Sequence, residues 1–494
     1  MSFSYTENEA LQYKSSGSEL VDFFKNAPIE RKNVLANNSK IVKSFINAFN
    51  CDNITATKIL LYLRDPRNGQ GEKASARKIL SYLYDYKDSK DFVISNFNKI
   101  VEYGSYKDLI FLYNSVKSDK SPIVDYFSEK LISKDRLACK WAPRLKSKND
   151  KMAVSLRDKL KVSNSEYRKY LKNNSETIEQ YMTSKLWSTI DYEKVPSVAM
   201  KKYNTAFNNH DSDRFKIFKT DDTKKVNASV LYPHQVVRHL SVDSDLAEKF
   251  WKNLPNYIKD GEKILALVDT SSSMSGFKVL DIAVSIGLYI AERSPGPFKD
   301  SYLCFSEDSH FIDFSHLKSL KERYSFIFKN SEWGGSTNFE SSYRSILDAA
   351  VMFNVKKEDM PTMLICLSDM QFNTASNGTM HLENIRQSFK NRGYDVPKLV
   401  FWDLRAKNDE NEGSPALSND KDVALVSGFS VSILKAILAV QEIPVYNPYE
   451  VMMESVKNYE FDDTYIPESL SYDSELDTFY KFDDTHIKNN MYVL

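Results

Sequence analysis

Five residues of this chain, Asp269, Ser271, Ser273, Thr337 and Asp369, have the types and spacing that best suit chemistry. ILALVDTSSSMSG (264–276) is an apolar run ended by Asp269, with Ser271 and Ser273 at the next two alternate positions. A D-x-S-x-S loop puts one carboxylate and two hydroxyls on one side of a tight turn. WGGSTNF (333–339) presents the Thr337 hydroxyl after two glycines that let the backbone turn freely. CLSDMQF (366–372) ends a second apolar run in Asp369. All five side chains are hard oxygen donors, which suit Mg²⁺, or another divalent cation such as Mn²⁺ or Ca²⁺, rather than zinc. Each stretch also has a plainer reading. Ser271 or Ser273 could cap a following helix, Thr337 or Ser336 could cap one after a glycine turn, and Asp369 could be a capping carboxylate. Three oxygen-bearing loops, each at a strand end, are hard to explain as separate caps. No His or Lys base falls near them, and His310 sits on a hairpin of its own. The residues therefore point to binding and away from an enzyme.

Such loops need strands to hold them. From Glu262 onward, short apolar runs alternate with amphipathic stretches. The runs are KILALV (263–268), SYLCF (301–305), TMLICL (362–367), KLVFW (398–402) and VALVS (423–427). Helical periodicity fills 277–293, 338–353, 381–391 and 430–440. Buried strands alternating with helices predict an open, doubly wound (Rossmann-like) α/β sheet, mostly parallel and covered on both faces. HFIDFS (310–315) follows SYLCF closely enough to make an antiparallel edge hairpin. In such sheets ligands gather beyond the carboxyl ends of the strands, where the Asp269 loop lies.

Residues 1–258 read as helical instead. LVDFFKNA, IVKSFINAFN, ATKILLYLRD, ARKILSYLYDY and KDLIFLYNSV all place apolar residues three and four apart. A stack of antiparallel helices follows, HEAT-like in kind, although no strict sequence period appears. The expected organisation is multidomain: a helical repeat-like region at 1–258, the α/β domain at 259–445 and an acidic tail at 446–494. From Tyr449 that tail carries eleven Asp or Glu against three Lys, and it either wraps the body or is partly disordered.

Composition sets the outer limits. At 494 residues the chain exceeds one ordinary core. Its 67 basic and 67 acidic residues cancel, so attraction to nucleic acid has to come from local asymmetry. Four scattered cysteines without a CxxC pair argue against structural zinc and suit a reducing compartment, with Cys304 and Cys366 buried. The N-terminus has no apolar signal core, and no run of about 18 apolar residues exists to cross a membrane. The expectation is a soluble intracellular, cytoplasmic protein. Abundant Lys, Asn, Ile and Tyr suit an AT-rich genome, bacterial, phage or large viral, and a virion component in the last case.

Local basic asymmetry is present. Residues 130–172 hold fourteen Lys or Arg and four acidic residues. Lys140, Trp141, Arg144, Lys146 and Lys148 mix cations with an aromatic, which suits single-stranded nucleic acid. RDPRNGQGEK (64–73) adds Arg64, Arg67 and Lys73 around two glycines whose backbone could approach a phosphate. It lacks the G-K-[ST] ending of a Walker loop, so ATP is not indicated. The plainer readings are solvated helix faces, a core Trp141 and a glycine turn between helices.

The five oxygen donors, in this order, resemble the metal-ion-dependent adhesion site of von Willebrand factor A-type domains over roughly residues 262–445. The resemblance implies that Ser271, Ser273 and Thr337 bind the ion directly and that both aspartates do so directly or through water. It also implies an open coordination position for a carboxylate from a protein partner, and a last helix, 430–440, that moves with metal coordination. RDPRNGQGEK, EYGSYKDL (102–109), KWAPR (140–144), LWSTIDYEKVPSVAM (186–200), NNHDSDRF (208–215) and LYPHQVV (231–237) resemble domain-of-unknown-function family 2828. The order of parts, with LYPHQVV, LVFWDL (399–404) and GFS (428–430), is similar to the Ro autoantigen (TROVE) architecture. That second likeness implies RNA as a partner of the helical region. Two functions are therefore expected: an RNA-binding protein with a metal-dependent dock, or a metal-dependent assembly module, including one of a virus particle.

Overall fold

The structure, a computed structural model, describes residues 3–6, 8–28, 40–274, 279–331, 333–374, 381–404, 414–439 and 446–477. The start of the expected helix 277–293, the end of 430–440 and the tail beyond 477 lie outside the described residues.

Eight strands are described: β1 (Phe3–Tyr5), β2 (Leu11–Tyr13), β3 (Ile264–Asp269), β4 (Ser301–Phe305), β5 (Ser309–Asp313), β6 (Met363–Ser368), β7 (Lys398–Asp403) and β8 (Val423–Ser427). The last six form one sheet in the order β5-β4-β3-β6-β7-β8. The β4–β5 pair is antiparallel, at the expected edge, and every other pair is parallel. The order reverses at β3, so the crevice at the carboxyl ends of β3 and β6 is a topological switch point. Every residue of β3 and β6 is buried, as an apolar run covered on both faces requires. Ile264, Ala266 and Val268 face a core shared with the helical part, while Leu265 and Leu267 face a second core on the other side.

Helix Val279–Arg293 crosses β3 closely at Gly287, where an added Cβ would lie 2.7 Å from a Val268 methyl. Helices Phe339–Met352 and His381–Asn391 supply the second core through Phe339, Ile346, Leu382 and Ile385. The last helix is short, a 3₁₀ turn at Val431–Ile433 running into Leu434–Ala439.

Short helices fill 40–252, and their starts show why they begin where they do. Asp52 accepts from the Thr55 amide, Ser105 and Asp108 form a capping box, and Asp243 accepts from the Leu246 amide. The expected helical start is not seen at 3–13. These residues form the β1–β2 hairpin, which packs on the α/β part. Three-residue strands carry no usable periodicity, so the hairpin had no signal of its own.

Residues 446–477 wrap the helical part. Asn50 pairs with both backbone groups of Leu470 (2.8 Å each), and Asn96 does the same with Asp462 (2.7 and 2.8 Å). Tyr82 bonds Ser471 and Asp473, and Lys78 forms a buried 2.5 Å ion pair with Asp477. Side-chain amides thus stand in for a neighbouring strand and satisfy an extended backbone that has no sheet of its own. Cys139, Cys304 and Cys366 are buried free thiols, and Cys51 is exposed. Among the described residues no helix is long and apolar enough to cross a membrane.

Candidate metal centre

Asp269, Ser271, Ser273 and Asp369 lie at the carboxyl ends of β3 and β6, and backbone bonds tie the loop that bears Thr337 to them. Val268 pairs with Leu367 across the sheet, which brings the following residues, Asp269 and Ser368, side by side. Ser368 Oγ donates to Asp269 Oδ2 at 2.5 Å, and Oδ1 of the same carboxylate accepts the Ser271 amide at 2.9 Å. Asp269 is fully buried, and Asp369, one residue beyond Ser368, is 8 % exposed. Burial first, and then the neighbouring Asp369 charge, push the Asp269 pKa up to about 7. Two buried carboxylates this close repel one another, and a divalent cation relieves that repulsion.

The hydroxyls complete the arrangement. Ser271 and Ser273 Oγ lie 3.1 Å apart. Thr337 Oγ1 is buried and has no hydrogen-bond partner among the described residues. A buried hydroxyl without a partner costs about 1–3 kcal/mol unless a water or a ligand meets it. The fit is that of a hard cation: two carboxylates and three hydroxyls, one of which, that of Thr337, lacks a partner among the described residues. Among the described residues no cluster of three His, Cys, Asp or Glu side chains offers an alternative centre.

Backbone bonds lace the loops into one frame. Gly334 N–H donates to Thr270 O (2.9 Å), and Ser272 N–H donates to Gly335 O (3.2 Å). Thr337 N–H donates to the Asn373 side chain (3.1 Å), and Asn373 N–H returns a bond to Thr337 O (2.8 Å). Ser368 and Asn373 were missed in the sequence. Their only signal was position, one residue before and four after Asp369.

The nucleic-acid candidates divide. Arg64 is corrected: it is buried and paired with Asp108 (2.7 Å), whose other oxygen takes Arg77 at 2.6 Å, so it is off the surface. The 64–73 loop is also corrected as a phosphate cradle. The amides of Gln70, Gly71 and Glu72 are spent on Tyr62, Asp65 and Leu63 carbonyls. Gly69 is needed for close approach, since a Cβ there would lie 1.9 Å from Tyr62 O. This loop is a joint: Ser432 donates to Gly69 O, Lys435 to Asn68, Tyr232 to Gln70 O, and Tyr459 to Asp65. It ties the last helix of the α/β part and the tail to the helices.

Arg67 is exposed and donates to Glu102 O (2.8 Å). Lys73, Arg144, Lys146 and Lys148 are exposed, and an Arg144 nitrogen reaches Cys139 O at 3.5 Å. Trp141 is half-buried beneath two ammonium groups, Lys107 at 3.9 Å and Lys140 at 5.3 Å from the ring centre. The Lys107 pKa is lowered by desolvation first, and also by Arg77, Lys140 and Lys202. Lys107 and Lys202 therefore join this patch, although they lie on separate helices and outside the basic run.

Two family models match the chain, each described only as a domain of unknown function: DUF2828 over residues 151–264 and DUF7788 over 263–469. The two meet at the start of β3, where helix gives way to sheet. Across a comparison spanning 550 aligned positions, gaps included, the chain is 29% identical to "Uncharacterized protein L728" of Acanthamoeba polyphaga mimivirus, a likeness that covers 99% of this chain and 92% of that protein.

Proposed function

We propose that this protein is a non-enzymatic binding protein whose α/β part, read as a von Willebrand A-type domain, grips a partner through a divalent cation such as Mg²⁺. Asp269, Ser271, Ser273, Thr337 and Asp369 would hold the cation. The observation that carries this is the buried Thr337 hydroxyl without a partner, set beside the buried Asp269–Asp369 pair. A cation bound largely by neutral hydroxyls retains affinity for an anionic oxygen, so the expected partner offers a carboxylate. The test is partner capture from the host, with and without EDTA, using wild type and Asp269→Ala. Partners lost in both treatments support the proposal, and partners kept in both defeat it.

A second reading, RNA held by the helical part, is favoured by one observation: Lys107 and Lys140 over Trp141, with Lys202 nearby. Cations around a half-buried aromatic ring suit a single-stranded nucleic acid. Discrete RNAs copurifying with the wild type, and lost on neutralising Lys107 and Lys140, support it. Clean protein sinks it and leaves metal-dependent assembly.

A further inference from the structure

The third metal loop, 369–374, is not held by the α/β part alone. Thr6 Oγ1 donates to Phe372 O (2.6 Å) and accepts the Ala10 amide (2.9 Å). Asn8 Nδ2 donates to Gln371 O (2.7 Å), while Asn8 O accepts the Thr374 amide (3.1 Å). Glu9 forms an antiparallel bridge with Asn373. Asn373 in turn holds the Thr337 backbone from both sides, through its side chain and its amide. A continuous set of hydrogen bonds thus runs from the N-terminal hairpin to the segments bearing Asp369 and Thr337. At its far end the hairpin is tied by reciprocal bonds between Tyr13 and Ser414 (2.9 and 2.7 Å) and by Ser418 N–H to Ser16 O (2.8 Å).

The loop needs such support. Met370, next to Asp369, has φ +65°, a conformation that a long side chain adopts only when its surroundings impose it. The hairpin itself has three-residue strands, too short to be stable alone, so it is ordered by what it docks against. Docking and loop geometry are therefore coupled.

We propose that the N-terminal hairpin is a positioning element of the metal centre: Thr6 and Asn8 hold the 369–374 loop so that Asp369 and Thr337 address one cation, and undocking the hairpin weakens the site. This rests on the metal reading given above. Groups that support ligands in this indirect way typically alter metal affinity by 10–100-fold.

The experiment titrates full-length protein with Mn²⁺, following free Mn²⁺ by electron paramagnetic resonance, for wild type, Asn8→Ala, Thr6→Val and Thr6→Ser. Melting curves run alongside. Asn8→Ala and Thr6→Val are expected to bind at least about tenfold more weakly, with melting transitions that remain cooperative. Thr6→Ser keeps the hydroxyl and restores wild-type affinity. Wild-type affinity in both Asn8→Ala and Thr6→Val overturns the positioning role and leaves the metal centre standing. A wild type that takes up no Mn²⁺ overturns the metal centre and the positioning role with it.

Discussion

Ser368 Oγ donates to Asp269 Oδ2 at 2.5 Å, so the last residue of β6 fixes the carboxylate that ends β3. With Oδ1 held by the Ser271 amide, Asp269 is locked in orientation before any ligand arrives. Ser368→Ala is therefore expected to weaken Mn²⁺ binding by about tenfold while leaving the fold intact. Isothermal titration checks it, and unchanged affinity would show that the backbone bond alone suffices.

The buried neutral histidines are expected to cost the protein stability in mild acid, against an opposite contribution from Asp269, whose pKa is raised to about 7. His234 is 1% exposed, and burial first, then Arg238 and Lys201, hold its pKa well below the usual value. Burial lowers His239 to about 4, with Lys201 adding to the effect. The unfolded chain binds protons at these histidines that the folded chain refuses, so their contribution to stability rises with pH in this window. It is complete above about pH 6.5 and is lost progressively toward pH 4. The urea midpoint of the wild type relative to that of His239→Gln should fall between pH 7.5 and 4.5, a difference that isolates the histidine contribution.

The tail is expected to be an integral part of the fold through the Lys78–Asp477 pair, in which Lys78 is wholly buried. Removing the Asp477 carboxylate takes the opposite charge away from the buried ammonium, at a typical cost of about 3–5 kcal/mol. Asp477→Ala should lower the unfolding free energy by about that amount and should expose 459–477 to protease. Replacing both partners with apolar residues should recover much of the loss. Wild-type stability in the single variant would mean that the Asn50 and Asn96 bonds hold the tail unaided.

Lys107→Ala with Lys140→Ala should reduce affinity for single-stranded RNA and flatten its salt dependence by about 0.7 for each phosphate no longer neutralised. Trp141→Ala should weaken binding by about 1–3 kcal/mol with little change in that slope. Equal flattening of the slope in both would assign Trp141 to packing only.

Asp269 and Asp369 could be placed from the sequence because each lies at or beside the end of an apolar strand, with Ser271 and Ser273 in the same loop as Asp269. The expectation of a strand end before Thr337 is not met, since its loop joins helices Leu320–Asn330 and Phe339–Met352. The alternation of apolar runs from Lys263 likewise exposed the sheet, including its antiparallel β4–β5 edge. Bonds between residues distant in sequence were not legible. Arg64 looked like a phosphate ligand because its partner, Asp108, lies 44 residues on. The docking of Asn8 on Gln371 spans 363 residues, and that of Asn50 on Leu470 spans 420. In each case a polar side chain bonds a distant group, and no local periodicity encodes that.

The most direct measurement is a calorimetric titration of the full-length protein with Mg²⁺ and Mn²⁺, beside Asp269→Ala and Thr337→Val. The wild type should bind one divalent ion, Asp269→Ala none, and Thr337→Val markedly less tightly with its fold intact. Binding that survives Asp269→Ala, or a wild type that binds no ion, would contradict a metal centre at the ends of β3 and β6.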